Sequence, residues 1–283
     1  MASSAPGPFF TTSTPSNHEV NNESPELKID FEKFENGNLE QFFEIDATVE
    51  WIKSNSFTRI ALQFPDSMLK FSERLSSMID QKCDNTVKTF ILADTSYRSC
   101  CIDEVAAAHS SCDALIHYGE ACLSSPTKNI PVKYVLGQMP IDFDSFKSEM
   151  TSIVGELNSE TIVIVVDSVY SHNQENIIEA AKSIIPKNRK LEIAHLLKLE
   201  EINNKSDNTY LGRHIPLCLK QLSPCDLIFV GPRESPFLPL WLLSFPSCYT
   251  VTHYDPMEKT ITHERYVVLN YLLGLLYRLT IKI

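Results

Sequence analysis

Positive charge is scarce in this 283-residue chain: 25 Lys and Arg stand against 36 Asp and Glu, for a net charge of −11. No phosphate-neutralising face is available, so nucleic acid is not an expected partner. No Lys or Arg precedes Lys28 and no long apolar run sits near the start, which leaves nothing for a secretory or mitochondrial leader. A cytoplasmic protein is expected. The apolar stretch from Tyr266 to Ile283 is shorter than a bilayer span of about 20 residues and contains Asn270 and Arg278. It is expected to be a buried or irregular end rather than a membrane segment. Several motifs are absent as well. Without GxGxxG or GxxxxGK[ST], nucleotide binding has no support, and without HExxH or a similar His pair, a zinc hydrolase has little. CxxC…CxxC, the spacing of a structural zinc site, does not occur either.

The chain does have apolar residues, at 43% of the total, enough for two ordinary domains. Residues 1–30 are rich in Ser, Thr, Pro and Asn, and the composition predicts disorder there. Apolar spacing from Leu39 to Ser54 predicts an amphipathic helix. A strand–helix rhythm follows. Short apolar runs predict strands at Arg59–Phe64, Val87–Ala93, Ala114–Gly119 and Val132–Gly137. Between and after them, "PDSMLKFSERLSSMI", "CIDEVAAAHSS" and "DFDSFKSEMTSIVGEL" read as helices, with Asp66 or Ser67 placed to cap the first. The rhythm restarts with strands at Thr161–Asp167, "KLEIAHLL", Cys225–Gly231 and "CYTVTHY", and helices at "NQENIIEAAKSII" and "FLPLWLLSF". Continuous apolar strands alternating with helices predict parallel sheets covered on both faces.

Two short echoes link the halves. "CDALIHYG" at Cys112 resembles "CDLIFVG" at Cys225, and "FPDS" after the first strand resembles "VVDS" at Val165. They keep the same order, which predicts two similar α/β domains, 39–157 and 158–265, before a divergent apolar tail, 266–283.

Eight cysteines without a secretory leader suggest reduced thiols with metal or redox roles. Cys100 and Cys101 follow the second predicted strand, and Cys122 follows the third. Loops leaving the carboxyl ends of parallel strands line the ligand crevice, so these thiols can converge at one edge. Thiolates suit zinc or iron–sulfur centres. Spacing alone leaves two readings open, a metal site or two loop thiols and a buried one. Cys100 and Cys101, being adjacent, would point opposite ways in an extended segment, so one of them is expected to reach a shared metal. Cys112 and Cys225 stand at strand entries on the opposite edge and read as small buried residues. Cys83, Cys218 and Cys248 show no convergent partner and read as structural. His117 reads as a packed, hydrogen-bonded core histidine, and "GPRESPF" after the Cys225 strand as a turn into a helix.

"LADTSYRSCCIDEVAAAHSSCDALIHYGEACLS" closely resembles the diphthamide biosynthesis family, the 2-(3-amino-3-carboxypropyl)histidine synthases. "SCCIDEVAA", "HYGEACLS", "QFPDSML" and "YDPMEKTITHE" are similar to its subunit 2 branch. The resemblance runs from about Leu39 to Asn270. It implies an architecture of three similar α/β domains in a pseudo-threefold arrangement around a central site, of which this chain carries two. In the catalytic subunit each domain supplies one cysteine to a [4Fe–4S] cluster that cleaves S-adenosylmethionine. The implied function here is a non-catalytic iron–sulfur partner. It would support assembly and electron delivery in a heterodimer with subunit 1, which transfers a 3-amino-3-carboxypropyl group to a histidine of translation elongation factor 2. An electron-donor protein is implied as a further partner.

Carried over by motif, Cys101 and Cys122 are the implied cluster ligands and Cys100 the spare or alternative. No catalytic residue is implied. The catalytic subunit has a Leu-Gly-Cys motif in its second domain, where "YLGRHIP" places Arg213. Arg is protonated at cellular pH and is a poor metal ligand. As a residue it reads as a solvated or salt-bridged loop side chain. After Asn270 the family pattern would continue into a third domain, which "YLLGLLYRLTIKI" does not match. Two further functions therefore stand beside the first: a cluster-free scaffold module or inactive truncated form, and a stand-alone lyase related to quinolinate synthase. Arg213 argues against the last.

Overall fold

The computed structural model describes residues 36–92, 100–121, 123, 129–197, 208–233, 235 and 237–265. The predicted disorder of 1–30 and the apolar tail 266–283 lie outside the described residues, as does Cys122.

The elements run α1 (Asn36–Phe42), α2 (Ile45–Ser54), β1 (Arg59–Gln63), α3 (Ser72–Lys82), β2 (Lys88–Leu92), α4 (Glu104–His109), β3 (Ala114–Tyr118), β4 (Val132–Val135) and α5 (Phe143–Ile153). They continue β5 (Thr161–Val166), α6 (Gln174–Ile184), β6 (Lys190–Ile193), β7 (Thr209–Tyr210), β8 (Arg213–His214), α7 (Leu217–Lys220), β9 (Cys225–Val230), α8 (Phe237–Ser244), β10 (Cys248–Asp255) and β11 (Thr260–Arg265). One sheet has the order β2-β1-β3-β4 and a second the order β11-β10-β9-β5-β6, and β7 pairs with β8 alone. The chain is thus α/β with parallel sheets. Strands β1, β3, β5 and β9 are almost wholly buried, as expected of strands covered on both faces. One hydrophobic cluster takes residues from both sheets, including Ile60, Ile116, Ile164 and Ile228.

The two echoes have a structural meaning. Asp113, at the entry of β3, accepts hydrogen bonds from Thr58 N (2.9 Å), Thr58 Oγ1 (3.0 Å) and Arg59 N (3.0 Å) at the start of β1. Asp226, in the matching place on β9, accepts from Asn158 N (2.8 Å), Ser159 N (2.8 Å) and Ser159 Oγ (3.0 Å) just before β5, and also from Thr250. In each sheet this Asp ties two neighbouring strand entries together. The other echo marks a strand that leaves through a 3₁₀ turn, Asp66–Phe71 after β1 and Ser168–Asn173 after β5, before an α-helix.

Four local expectations differ from what is observed. The helix expected over Leu39–Ser54 breaks at Glu44, which is left-handed at φ 48. Phe42 and Phe43 are both buried, Phe43 against Phe71 and Tyr118. Consecutive helical side chains diverge by about 100°, so two core aromatics in succession are accommodated by a turn. The turn after β1 takes Pro65 as its N-cap in place of Asp66 or Ser67, without a side-chain cap from it, whereas Asp167 caps the turn after β5 by accepting from Val169 N. "KLEIAHLL" forms a strand over Lys190–Ile193 alone. The second sheet is not wholly parallel, because β11 pairs antiparallel with β10. Asp255 Oδ1 builds that hairpin turn by accepting from Met257 N (2.9 Å) and Glu258 N (3.3 Å).

Asp226 is 1% exposed and Asp113 is exposed. Removing a buried, multiply bonded carboxylate leaves its donors unpaired. Asp226→Ala is expected to cost about 3 kcal/mol and Asp113→Ala about 1 kcal/mol, read from urea unfolding midpoints of the two variants.

Candidate functional site

Gln63 is the last residue of β1 and is 1% exposed. Its Nε2 donates to Cys101 O (2.7 Å) and its Oε1 accepts from Asp103 N (3.0 Å). One buried amide thus grips the turn after β2 at two points. Asp103 in turn caps α4, accepting from Ala106 N at 2.8 Å. Cys100 and Cys101 sit in this turn, both half-buried, with sulfurs 3.9 Å apart. The expectation that the adjacent thiols diverge is therefore corrected: the backbone turns here instead of extending, and both side chains face the same space.

His117, the register partner of Gln63 on β3, is fully buried. Its Nε2–H donates to Glu120 O (2.9 Å), because a carbonyl can only accept. The packed-histidine reading holds, and the ring binds the loop that leads toward Cys122. Burial holds its pKa down to about 4. Leu123 lies against Gly212, where an added Cβ would stand 2.4 Å from Leu123 Cδ1 and where φ is +69. The chain neighbours of Cys122 and Arg213 are therefore in contact, and a residue with a side chain at 212 would separate the two segments.

Arg213 corrects the sequence reading. It is a β8 residue, 2% exposed, and neither solvated nor in a loop. Its guanidinium donates to Val166 O (2.8 Å) at the end of β5 and to Leu211 O (3.2 Å), and lies 3.9 Å from the centre of the Phe237 ring. Desolvation draws its pKa down to about 10, opposed by the nearby Asp167 carboxylate, so it remains charged at neutral pH. Asp167 is itself bound by Ser235 (2.5 Å) and Val169 N (3.2 Å).

A cleft of about 330 Å³ opens between the end of β4 and the turn after β5, with Glu44, Tyr134, Gln138, His172 and Leu123 among its walls. Burial raises the Glu44 pKa and lowers that of His172.

The remaining cysteines divide by edge. Cys112 is half-buried and Cys83 buried. Cys225 and Cys248 are register partners on β9 and β10, with sulfurs 3.7 Å apart. Cys218 adjoins Cys225 and Glu192, and burial pushes its thiol up to about 12. Hydrogen bonding to Cys248, then burial, raises the Cys225 thiol further. Cys218 and Cys248 do have partners, then, and sequence reasoning missed them because strand register brings Cys248 to Cys225 and the packing of α7 brings Cys218 there. Buried at the entry edge of the second sheet, these thiols are packing groups. Among the described residues, no three His, Cys, Asp or Glu side chains are arranged to hold a metal ion.

Parallel sheets whose loops leave at a carboxyl edge, one of them the gripped Cys100–Cys101 turn, define an open-sheet α/β protein. The sequence profile described as "Putative diphthamide synthesis protein" matches residues 64–273. The chain belongs to this family of diphthamide synthesis proteins. It is 51% identical to the Caenorhabditis elegans 2-(3-amino-3-carboxypropyl)histidine synthase subunit 2, over 93% of this chain and 56% of the relative. The subunit 2 of Schizosaccharomyces pombe is 37% identical over 81% of this chain and 44% of its own length. The chain thus spans about half the length of the curated relatives it matches. Among solved structures, Dph2 from Pyrococcus horikoshii superposes with TM-score 0.55 at 18% identity, covering 79% of this chain and 61% of that one. A second structure of that protein, with a 4Fe-4S cluster, gives TM-score 0.54 at 16% identity, covering 78% and 61%. These likenesses bear on the fold.

Two outcomes are expected. Arg213→Ala strands the Val166 and Leu211 carbonyls and removes the charge over Phe237, at a cost of about 3 kcal/mol in urea unfolding. The depressed His117 pKa gives a pH dependence of defined sign. Its stability contribution is complete above about pH 6.5, the unfolded value, and is lost as pH falls toward about 4, because the unfolded chain takes up a proton that the folded ring refuses. Between pH 7 and pH 4 the native protein is expected to lose about 3 kcal/mol more than His117→Phe, measured by denaturant unfolding at each pH.

Proposed function

We propose that this chain is an iron–sulfur partner subunit in the first step of diphthamide biosynthesis, built from two α/β domains, 39–157 and 158–265. The observation that carries the reading is the Cys100–Cys101 turn, locked to the end of β1 by Gln63, beside the β3 exit that leads to Cys122. The donor set fits a thiolate-held cluster: it is soft, it lies at a carboxyl edge, and its turn is fixed in place. Each iron of a [4Fe–4S] group takes one thiolate, so sulfurs 3.9 Å apart supply one ligand and one spare. Cys101 and Cys122 would hold the group, with Cys100 as the alternative. Bound there, the cluster would supply one-electron transfer to the catalytic subunit. Arg213, with its guanidinium committed to two backbone carbonyls, offers no third ligand, which suits an ancillary rather than a catalytic role. The partners in this reading are subunit 1, an electron-donor protein and, as substrate of the complex, translation elongation factor 2. Work in the cytoplasm accords with it, and no described helix is long and apolar enough to cross a membrane.

A cluster-free scaffold is the second reading. The observation on its side is the Arg213 guanidinium, which is committed to two backbone carbonyls at the edge of the second sheet.

Anaerobic reconstitution with iron and sulfide, in the presence of subunit 1, separates the two. A brown protein is expected, and Cys101→Ala and Cys122→Ala should each lose most of the colour and bound iron. A colourless complex of the two subunits would establish the scaffold reading instead.

A further inference from the structure

Cys100 and Cys101 are consecutive, and consecutive side chains of an extended segment point to opposite sides. Here the backbone turns, and the two sulfurs lie 3.9 Å apart. The turn is held on its C-terminal side. Gln63, 1% exposed, donates to Cys101 O (2.7 Å) and accepts from Asp103 N (3.0 Å). Asp103 is itself committed to capping α4. The thiol pair therefore stands on a fixed piece of backbone.

A second pair gives the comparison. Cys225 and Cys248 lie on neighbouring strands with sulfurs 3.7 Å apart. Both are 0% exposed, and hydrogen bonding to Cys248 and burial raise the Cys225 thiol. Thiol–disulfide exchange begins when a thiolate attacks a sulfur that has reached it, so its rate follows thiolate fraction and access. The Cys225–Cys248 pair is closed to that attack on both counts. Cys100 and Cys101 are half-buried, and a small disulfide can reach them. In the cluster reading, moreover, one thiol of this pair ligates and its neighbour does not, so the neighbour is left with another task.

We propose that Cys100 and Cys101 form a dithiol–disulfide couple: a small disulfide of the glutathione class oxidises them to a vicinal disulfide, which withdraws both thiolates from the edge of the first sheet. One thiolate of the pair attacks the small disulfide, forms a mixed disulfide and releases one small thiolate. The neighbouring thiolate then attacks the protein sulfur of that bond and releases the second. Two protein thiols become one S–S bond, one small disulfide becomes two small thiols, and these take up the two protons the protein loses. Each sulfur moves about 1 Å by side-chain torsion to reach bonding length. The ring closed between adjacent residues is small and strained, and strained disulfides are the readily reduced, regulatory ones. That the withdrawn thiolates are iron ligands rests on the reading given under Proposed function; the couple itself does not.

The test uses the full chain, reduced, iron-free and anaerobic. It is exposed to excess glutathione disulfide, quenched with N-ethylmaleimide in denaturant, and digested with trypsin and a glutamate-specific protease. Residues 99–104, "SCCIDE", carry Cys100 and Cys101 and no other cysteine. This peptide is expected to be unalkylated, lighter than its reduced form by two hydrogens and without glutathione, while Cys225 and Cys248 are recovered alkylated. Dithiothreitol should return both of its thiols. In Cys100→Ser and Cys101→Ser the remaining thiol should retain glutathione as a mixed disulfide, at about tenfold the parental level or more, because no neighbour displaces it. A parental peptide that keeps glutathione, stays reduced or is recovered linked to another cysteine peptide overturns the proposal, and the parent decides this even if a variant fails to fold. The exposure is repeated on protein reconstituted with iron and sulfide in the presence of subunit 1, where a cluster on this turn should slow ring closure about tenfold or more. Ring closure in a chain that takes up no iron upholds the couple and sinks the cluster reading alone. An iron-loaded chain that closes the ring at the iron-free rate overturns the withdrawal of iron ligands.

Discussion

A parallel strand delivers its chain to the same edge of the sheet each time, and the neighbouring strand does likewise. That constraint underlies the candidate site. With β1 between β2 and β3, two loops that are distant in sequence leave at adjacent places. Adjacent exits do not by themselves define a position, because loops have freedom of their own. The freedom is removed from below, by a buried amide and a buried imidazole that hydrogen-bond only part of their surroundings and spend those bonds on loop backbone. The low pKa of His117 has the same origin: a ring neutral at every physiological pH donates steadily through Nε2.

The second sheet follows the plan of the first and uses its carboxyl edge differently. Arg213 is turned into the protein over Phe237 and bound to the end of β5. A guanidinium suits that place, since it stays charged when desolvated and can satisfy two carbonyls at once. The short β7–β8 pair is thereby fastened to the sheet, and its Gly212 lies against Leu123. Arg213 thus acts as a fastening residue at this edge, and the Leu123 side chain packs against Gly212 beside it.

Thiols at the opposite edge show how little residue type alone decides. Cys225 and Cys248 are as close as Cys100 and Cys101. The first pair is wholly buried and serves as packing, and the thiols of Cys225 and the neighbouring Cys218 are pushed up in pKa. The Cys100–Cys101 pair is half-buried at the edge where strands release their loops.

Much of this was legible in the residues. Apolar runs and helical spacing located most strands and helices, and the Cys-Asp echoes mark aspartates that prove to tie strand entries together. The cysteine loops were legible from strand order. Gln63 was not, because a polar residue at a strand end carries no periodic signal. The break at Glu44 was missed, since burial of two successive aromatics depends on neighbours far along the chain; the β10–β11 hairpin was missed although its Asx turn at Asp255 is local. Local sequence determined most elements, their order and the edge to which Cys100, Cys101, Cys112 and Cys225 belong, since apolar period and chain direction are local properties. Tertiary structure decided which thiols meet, which arginine is buried and which side chains grip the loops, since each of those depends on strand register and on groups tens of residues away.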